Sequence, residues 1–360
     1  MSKILSIGTA VPQYKHEQQD ILGFMQRVYA LNEADKRKLK FLYRQGGIDS
    51  RYSVIPDYSL PADEWQFYRA TENLEPFPKL EQRMQWYQQH AADLSMNAIA
   101  RCVEKFPAKT ISHLITVSCT GMSAPGLDIE LVERLNLAPT IFRTSVNFMG
   151  CYAAIHALKL ADIICKADKS ANVMIVCTEL CTLHFQKEYS VDNITSSMLF
   201  SDGSAAIMVS GDEEDTGLTI ENFYSTVTLH GKKDMAWELS SKGFLMTLSS
   251  YVSDLIEENF DELTRNALTA AGIGKDDITH WCIHPGGKKI LEAVHNSLQF
   301  TNGQLQPCYD VLKKYGNMSS PTVLFVLQEI MEALDAQTPA KIFGAAFGPG
   351  LTMETFILST

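Results

Sequence analysis

The stretch NFMGCYAAIHALKLADII, residues 147–164, predicts a sharp turn that leads into a long helix. Gly150 lets the backbone turn, and the Ala- and Leu-rich run over residues 151–164 is a strong helix former. Cys151 would then lie at the helix N-terminus, where free N–H groups and the dipole favour an anion. A thiolate at such a position has a lowered pKa and is the reactive form of cysteine. The pattern fits a nucleophile, and it also fits a buried cysteine that begins a core helix.

Short apolar, β-branched runs alternate with helical patterns on both sides of this stretch. Such alternation is typical of α/β layers. The long region 13–89 is charged and aromatic with weak periodicity, and we interpret it as helices and loops that cover the sheet. The predicted strands are residues 3–7, 113–119, 173–177, 205–209, 280–283 and 352–358, and the predicted helices are residues 127–135, 151–164, 252–271, 288–298 and 320–333.

Two pairs of similar segments, about 150 residues apart, suggest that one α/β unit was duplicated. Residues 110–115 resemble residues 277–283, and each segment precedes a turn with Gly and Pro and then a helix. LFSDG at residues 199–203 and AFGPG at residues 346–350 each form a glycine turn before an apolar strand. We therefore predict two halves, residues 1–214 and residues 215–360.

The composition is that of a globular protein, with 46% hydrophobic and 20% charged residues. A net charge of −11 argues against nucleic acid as the main partner, although a local basic patch would still suit phosphates. No stretch approaches the ~18 apolar residues of a membrane span, and the N-terminus predicts a strand instead of a signal peptide. The eight cysteines form no CxxC pair, which favours buried free thiols over disulfides or a zinc site. We expect a cytoplasmic protein.

A nucleophilic cysteine needs a base, and the base needs an orienting group. His284 ends a predicted strand before the turn Pro285-Gly286-Gly287, and such strand ends face the ligand crevice in α/β proteins. Asn317 lies in YGNMSSP, residues 315–321, just before an apolar helix, where Asn is also a common cap. From the residues alone, a core histidine and a capping asparagine remain open beside a catalytic role.

At these positions the sequence resembles the type III polyketide synthases, the chalcone/stilbene synthase-like members of the thiolase superfamily. The resemblance runs in order from residue 4 to residue 358. It implies a five-layered αβαβα thiolase-like fold from two related halves, a homodimer, and no metal or redox cofactor. The motifs are ILSIGTA at 4–10, Gly150-Cys151 with its helix, LFSDG at 199–203, HPGG at 284–287, YGNMSS at 315–320 and FGPGLT at 347–352.

The resemblance also implies the reaction. Cys151 would take an acyl group from an acyl-CoA, and malonyl-CoA would lose CO₂ to give an enolate that attacks the acyl thioester before cyclisation. Imidazolium His284 would pair with the Cys151 thiolate. His284 and Asn317 would both donate hydrogen bonds to a thioester oxygen. Phe200 matches the family's gatekeeper aromatic, whose apolar ring excludes water.

Several pocket positions depart from plant chalcone synthases. The family's second gatekeeper aromatic aligns with Met246, although Phe244 lies two residues away, and its partner-reaching Met aligns with Ala124. These departures favour an aliphatic acyl-CoA starter and an alkylpyrone or alkylresorcinol product, while a phenolic starter and a malonyl-only product stay open. The substrate-binding residues implied by the resemblance are Phe200, Met246, Cys119, Ala124, Cys181, His184, Gly348 and Pro349.

The family's coenzyme A entrance carries basic residues, and KRKLK at residues 36–40 with Arg44 falls in that region. We predict that Lys38 and Arg44 bind coenzyme A phosphates, because a cationic patch suits them. An ordinary solvated helix face explains the same residues.

Three alternative functions must be weighed against the same set of residues. A ketoacyl-carrier-protein synthase III shares the Cys/His/Asn set and the fold but condenses once, with malonyl from a carrier protein. The Phe-Gly-Pro-Gly loop and Phe200 favour the polyketide interpretation. A cysteine hydrolase also uses Cys, His and Asn, and it would need a water route to the acyl-enzyme. A degenerate scaffold would have lost a member of the set, and all three are present.

Overall fold

The structure is a computed structural model. It describes residues 1–29, 31–71, 73–104, 111–249, 251–301, 303–335 and 337–360. The strands are β1 (Lys3–Ala10), β2 (Tyr14–Glu17), β3 (Ser50–Ser53), β4 (His113–Ser118), β5 (Phe142–Asn147), β6 (Asn172–Leu180), β7 (Asp202–Ser210), β8 (Leu218–Val227), β9 (Met235–Ser240), β10 (Gly243–Leu248), β11 (His280–Ile283), β12 (Lys341–Gly348) and β13 (Thr352–Ser359). The helices are α1 (Gln18–Val28), α2 (Glu33–Gln45), α3 (Leu80–Val103), α4 (Leu127–Arg134), α5 (Ala153–Ala167), α6 (Val191–Leu199), α7 (Val252–Ala271), α8 (Lys288–Ser297), α9 (Gln306–Tyr315) and α10 (Thr322–Ala333).

Nine strands form one mixed sheet in the order β11-β12-β13-β8-β1-β7-β6-β4-β5. Strands β1 and β8 pair only at Lys3–Thr219 and Ile4–Leu218, so the sheet consists of two half-sheets that meet at this short contact. The pairs β4–β5, β4–β6 and β11–β12 are parallel. Two antiparallel strand pairs lie outside the main sheet: β2–β3, whose strands are separated in the chain by α1 and α2, and the hairpin β9–β10.

Successive side chains of a strand point to opposite faces of the sheet, and the side chains on both faces of β6 are buried in a hydrophobic core. Val173, Ile175 and Cys177 lie in one core with α5, whereas Met174 and Val176 lie in a second core with α3. Helix α5 contacts β4, β6 and β13, and α10 contacts β11 and β1, so both helices touch both half-sheets. Helix α7 packs against β8. The two central helices, α5 and α10, carry the nucleophile turn and the Asn317 turn at their N-terminal ends.

Element boundaries follow the sequence prediction with one informative shift. The helix expected over residues 151–164 begins at Ala153, so Cys151 and Tyr152 belong to the preceding turn. The region 13–89 contains helices as expected and also the strand pair β2–β3, which its short polar strands, separated by α1 and α2, did not reveal. The predicted boundary at residues 214/215 falls between β7 and β8, and the duplication stays a prediction. Residue 110 of the first similar segment lies outside the described residues.

Within the described ranges, no helix combines the length and the apolar composition needed to cross a membrane.

Candidate active site

The predicted nucleophile and both of its predicted partners open into one cavity of about 240 Å³, which we call the main chamber. Its inner end holds Cys151, His284 and Asn317, and most of its wall is apolar. Its mouth lies between the end of α2 and the start of α8. The fold thus brings together three residues from the α5 turn, the end of β11 and the turn before α10.

Two glycine positions let the nucleophile turn and the FGPG loop touch. Gly150 has φ +80°, and a Cβ there would lie 2.2 Å from Cδ of Pro349. A Cβ at Gly348 would lie 2.5 Å from the ring of Tyr152. The Gly150 N–H donates to Sγ of Cys119 at 3.0 Å. Cys151 is therefore held by close backbone packing, and Pro349 lines the chamber beside it.

His284 lies at the end of β11, where its N–H donates to the Ala345 carbonyl at 2.8 Å and continues the pairing with β12. The side chain is 1% exposed. Neither ring nitrogen has a hydrogen-bond partner among the described residues. Burial lowers the pKa of His284 to about 3, which keeps the imidazole neutral. A neutral imidazole still offers one N–H and one lone pair to a ligand.

Hydrogen bonds fix the orientation of the Asn317 amide. Its Oδ1 accepts the Ser319 N–H at 2.8 Å, so Nδ2 faces the other way and donates to the Gly286 carbonyl at 3.2 Å. The Asn317 backbone pairs with Phe200 in an isolated parallel bridge. Asn317 therefore presents an N–H donor at the inner end, tied to the turn after His284 and to the gatekeeper position.

Burial raises the pKa of the Cys151 thiol to about 11, and the buried carboxyl of Glu179 adds to this shift. Two hydrogen-bonding groups lower the pKa of Cys151 instead: the Ser319 hydroxyl, whose Oγ lies 3.6 Å from Sγ of Cys151, and the Asn317 amide. The lowered pKa expected from a helix N-terminus is not found, because burial dominates and the helix begins two residues later. Burial thus favours a neutral thiol and a neutral imidazole in the same chamber, and the thiolate–imidazolium pair stays a prediction.

Glu179 is a residue of this site that the sequence analysis missed. It is fully buried on β6, and its carboxyl accepts hydrogen bonds from the Cys119 N–H, the Thr120 hydroxyl and the Ser320 hydroxyl at 2.8–2.9 Å. Burial raises its pKa to about 7. The carboxyl ties the end of β4 to the turn before α10. A lone acidic residue within the apolar run VMIVCTEL was the available signal.

The gatekeeper positions lie on the wall of the main chamber. Phe200 and Met246 line it together with Cys119 and Cys181. Met246 pairs with Trp237 across the β9–β10 hairpin, and the Trp237 indole donates to the Cys119 carbonyl at 3.2 Å. Trp237 was missed because nothing in the sequence reveals which face of a short hairpin meets the cavity.

His184 and Phe244 lie behind this wall and line a smaller side chamber of about 50 Å³. The two rings stack with centroids 4.2 Å apart. The Phe244 N–H donates to Nδ1 of His184, so Nε2 carries the proton and donates to the Thr120 carbonyl at 2.8 Å. Burial lowers the pKa of His184 to about 3. This histidine anchors the hairpin to the end of β4, and it does not line the main chamber.

Ala124 is exposed in the turn after β4 and lines neither chamber of the protomer. Lys38 and Arg44 are exposed on α2, whose residues Leu42 and Gln45 line the mouth. Lys288 and Lys289, at the start of α8, line the mouth from the other side and were missed. Their place directly after the HPGG turn was the signal.

Among the described residues, no group of three or more His, Cys, Asp or Glu side chains is arranged to hold a metal ion. All eight cysteines are free thiols.

Similarity to known proteins extends over the whole chain. The family model for the N-terminal domain of chalcone and stilbene synthases matches residues 1–213. The model for the C-terminal domain of the same family matches residues 221–360.

Individual proteins agree with these matches. The Mycobacterium tuberculosis "Alpha-pyrone synthesis polyketide synthase-like Pks18" is 27% identical over 98% of this chain and 89% of its own length. The Dictyostelium discoideum "Probable polyketide synthase 1" is 27% identical over 98% of this chain, which spans 11% of that longer protein. The crystal structure of PKS-I from the brown alga Ectocarpus siliculosus has a TM-score of 0.91 at 27% identity, covering 99% of this chain and 97% of that one. The predicted fold class, a thiolase-like αβαβα fold, is confirmed.

Proposed function

The chain belongs to the chalcone and stilbene synthase family of type III polyketide synthases, as its motifs predict, and we propose that it elongates an aliphatic acyl-CoA with malonyl-CoA. Members of this family are condensing acyltransferases, and the products we propose are alkylpyrones or alkylresorcinols. The observation that carries the proposal is that Cys151, His284 and Asn317 line one chamber whose wall is mostly apolar.

In the proposed acyl-loading step, the Cys151 thiol and the His284 imidazole are both neutral at the start. His284 accepts the proton of the Cys151 thiol as Sγ attacks the carbonyl carbon of acyl-CoA. The C–S bond to coenzyme A breaks, and its sulfur takes the proton back from His284. The acyl group is then a thioester of Cys151. The unpartnered ring nitrogens of His284 support this role, because no bond within the protein competes for them.

Decarboxylation uses the same groups as donors. The His284 N–H and the Asn317 Nδ2–H donate to the thioester oxygen of malonyl-CoA, CO₂ leaves, and the electron pair becomes an enolate held by both donors. The enolate carbon attacks the acyl carbon on Cys151, whose sulfur departs as a thiolate and takes up one proton from solvent, so that the lengthened chain is left on coenzyme A. Phe200 and the apolar wall favour the loss of a charged carboxylate as neutral CO₂. Repeated transfer to Cys151 lengthens the chain until it cyclises.

The chamber wall supports the aliphatic starter. Its side chains are mostly apolar, and Met198, Met235 and Met246 give it an adaptable surface. The relative named for alpha-pyrone synthesis supports the product class. No metal or redox cofactor is needed, because each proposed step moves only protons and electron pairs among these groups.

Coenzyme A would enter at the mouth. Lys288 and Lys289 line it from α8. Lys38 and Arg44 are exposed on α2, whose last turn also lines it. Their charges suit the phosphates of coenzyme A. Free cysteines support the cytoplasmic location that we propose.

We also propose a homodimer formed through the edge strand β5. Phe142 is 69% exposed on this strand and stacks on His113 with ring centroids 5.0 Å apart. An unpaired strand edge with an exposed aromatic offers both backbone hydrogen bonds and apolar area to a second copy. Light scattering of Phe142→Asp should give half the mass of the unchanged protein, and an unchanged mass would exclude this interface.

The function is tested by incubating the protein with malonyl-CoA and a panel of aliphatic and aromatic acyl-CoAs, followed by mass spectrometry. We expect products with two or more malonyl units from aliphatic starters. A single condensation with malonyl from a carrier protein would instead indicate the ketoacyl-synthase III reaction. Free fatty acid as the only product would indicate a hydrolase.

A further inference from the structure

Helix α2, whose residues Leu42 and Gln45 line the mouth of the main chamber, carries four cations that pair with no acidic residue in the described part of the chain. Arg37, Lys38, Lys40 and Arg44 are exposed, and none forms an ion pair among the described residues. Lys36, by contrast, pairs with Glu33 at 2.8 Å. The whole chain has 31 basic and 42 acidic residues and a net charge of −11. A positive face on an acidic protein concentrates attraction for anions at this one entrance.

The cations surround an exposed aromatic ring. Phe41 is 62% exposed on α2. Residues three, four and seven apart share a helix face, so Arg37, Lys40, Phe41 and Arg44 form one line that we call the outer stripe. The opposite face, with Leu39 and Tyr43, is buried in the protein.

A second line on α2 already serves the mouth. Lys38, Leu42 and Gln45 follow the same helical spacing, and Leu42 and Gln45 line the chamber. Lys288 and Lys289 face it from α8. These three lysines are placed for the phosphates of a bound coenzyme A. The outer stripe lies beside them on the solvent side, so Arg37, Lys40 and Phe41, which are not predicted to contact coenzyme A, remain for a further contact.

We propose that the outer stripe docks an acidic carrier protein whose phosphopantetheine arm delivers the starter acyl chain to Cys151. This inference rests on the proposed function, since it names the donor for the same site. Aromatic and Arg side chains are the residue types enriched at protein–protein contacts. Helix α2 has 13 residues and is therefore about 20 Å long, which suits contact with a helix of a partner protein. The pantetheine arm is common to coenzyme A and carrier proteins, so the main chamber accepts both donors.

A membrane surface is a poorer match for this face. Helices that bind a bilayer surface expose a broad apolar side. On α2 the side chains Leu39 and Tyr43 are buried, and Phe41 is the exposed large apolar residue. A single ring among cations fits a pocket on an acidic protein.

The transfer step is an exchange of thioesters. The Cys151 sulfur attacks the acyl carbon, the C–S bond to the pantetheine breaks, and the Cys151 proton passes through His284 to the departing sulfur. No electron acceptor or donor is required. The carrier leaves with a free thiol, and elongation with malonyl-CoA follows.

The test compares two donors of the same decanoyl chain: decanoyl-CoA and the decanoyl-loaded acyl carrier protein of a bacterial fatty-acid synthase, each with malonyl-CoA. Arg37→Glu, Lys40→Glu and Phe41→Ala change the outer stripe, while Arg44 is left intact because coenzyme A is also predicted to contact it. Lys79→Glu, a charge reversal at an exposed lysine before α3, is the matched control.

We expect the unchanged protein to use both donors. Each charge reversal should lower kcat/KM for the loaded carrier by about tenfold at low salt, because rim charges steer association, and leave kcat/KM for decanoyl-CoA within about twofold. The Lys79→Glu protein should match the unchanged protein with both donors. Activity with decanoyl-CoA shows that each variant is folded.

Three outcomes would overturn the proposal. Turnover of decanoyl-CoA without turnover of the loaded carrier would exclude a carrier protein as the acyl donor and leave the proposed function intact. Equal losses with both donors would reduce the stripe to a coenzyme A site. Binding to phosphatidylglycerol vesicles that the variants lose, without use of the carrier, would make it a membrane contact. Failure with both donors would refute the proposed function itself.

Discussion

The inner end of the main chamber and its mouth are built on opposite principles. At the inner end, Cys151, His284 and Asn317 are held by backbone bonds and close packing, and burial keeps the first two neutral. At the mouth, α2 offers exposed cations that form no ion pair among the described residues, and α8 offers Lys289, which is exposed, and Lys288, which pairs with Glu292 at 3.6 Å. The inner end requires exact positions, because it stabilises a charge that exists only during reaction. The mouth needs only the right sign of charge, because it guides and holds the donor.

The largest effect is expected at the inner end. Asn317→Asp puts a carboxylate where an N–H should face the developing oxyanion, so kcat should fall ~10²–10³-fold with little change in KM. CO₂ release from labelled malonyl-CoA measures this step, and intact mass shows whether Cys151 still loads. Asn317→Gln keeps the amide and serves as the control for charge. If Asn317→Asp decarboxylated at the normal rate, Asn317 would not be an oxyanion donor.

Close packing around the nucleophile predicts a paired effect on stability. Gly150 and Gly272 both have positive φ, but a Cβ at Gly150 meets Pro349 and one at Gly272 meets nothing within 4 Å. Gly272→Ala should lower the free energy of unfolding by about 1–2 kcal/mol, because a Cβ strains a backbone with positive φ. Gly150→Ala should cost more and should also reduce acyl loading. Equal losses in the free energy of unfolding, measured in urea, would show that the turn relaxes away from Pro349.

Because Glu179 is buried, it should make the free energy of unfolding depend on pH. Its folded pKa, about 7, is raised, so the folded protein favours the protonated form. Its contribution to stability is therefore lost as pH rises from about 4.5 to 7, by on the order of 3 kcal/mol in total. Glu179→Gln should gain stability relative to the unchanged protein between pH 5 and pH 8. A difference in unfolding free energy that does not vary with pH would mean that Glu179 stays ionised.

The mouth should show the smallest and most salt-dependent effect. The double variant Lys288→Glu/Lys289→Glu should raise KM for malonyl-CoA about tenfold and leave kcat nearly unchanged, because it removes binding that is equal in ground and transition states. Added salt should shrink the difference. Lys288→Gln/Lys289→Gln separates the loss of attraction from the added repulsion. A change confined to kcat would place these lysines in the chemistry.

The same contrast explains what the sequence could predict. Gly150, the HPGG turn and Asn317 lie in short motifs whose resemblance to the family implied the site, so the inner end was predicted by residue number. Trp237, Glu179 and Lys288 were not, because their roles depend on which elements meet in space. The β2–β3 pair escaped prediction since two four-residue strands give too little periodicity, and α1 and α2 separate them in the chain. The start of α5 shifted by two residues because Tyr152, a reasonable helix residue, is needed in the turn beside Gly348.

The central claim is that Cys151 alone carries the acyl chain, although Cys119 and Cys181 line the same chamber. The direct measurement is peptide mapping by mass spectrometry after brief exposure to decanoyl-CoA without malonyl-CoA. We predict one decanoyl thioester, on the peptide that contains Cys151, and none in the Cys151→Ala protein. A thioester on Cys119 or Cys181, or an acyl-enzyme that persists in Cys151→Ala, would contradict the account.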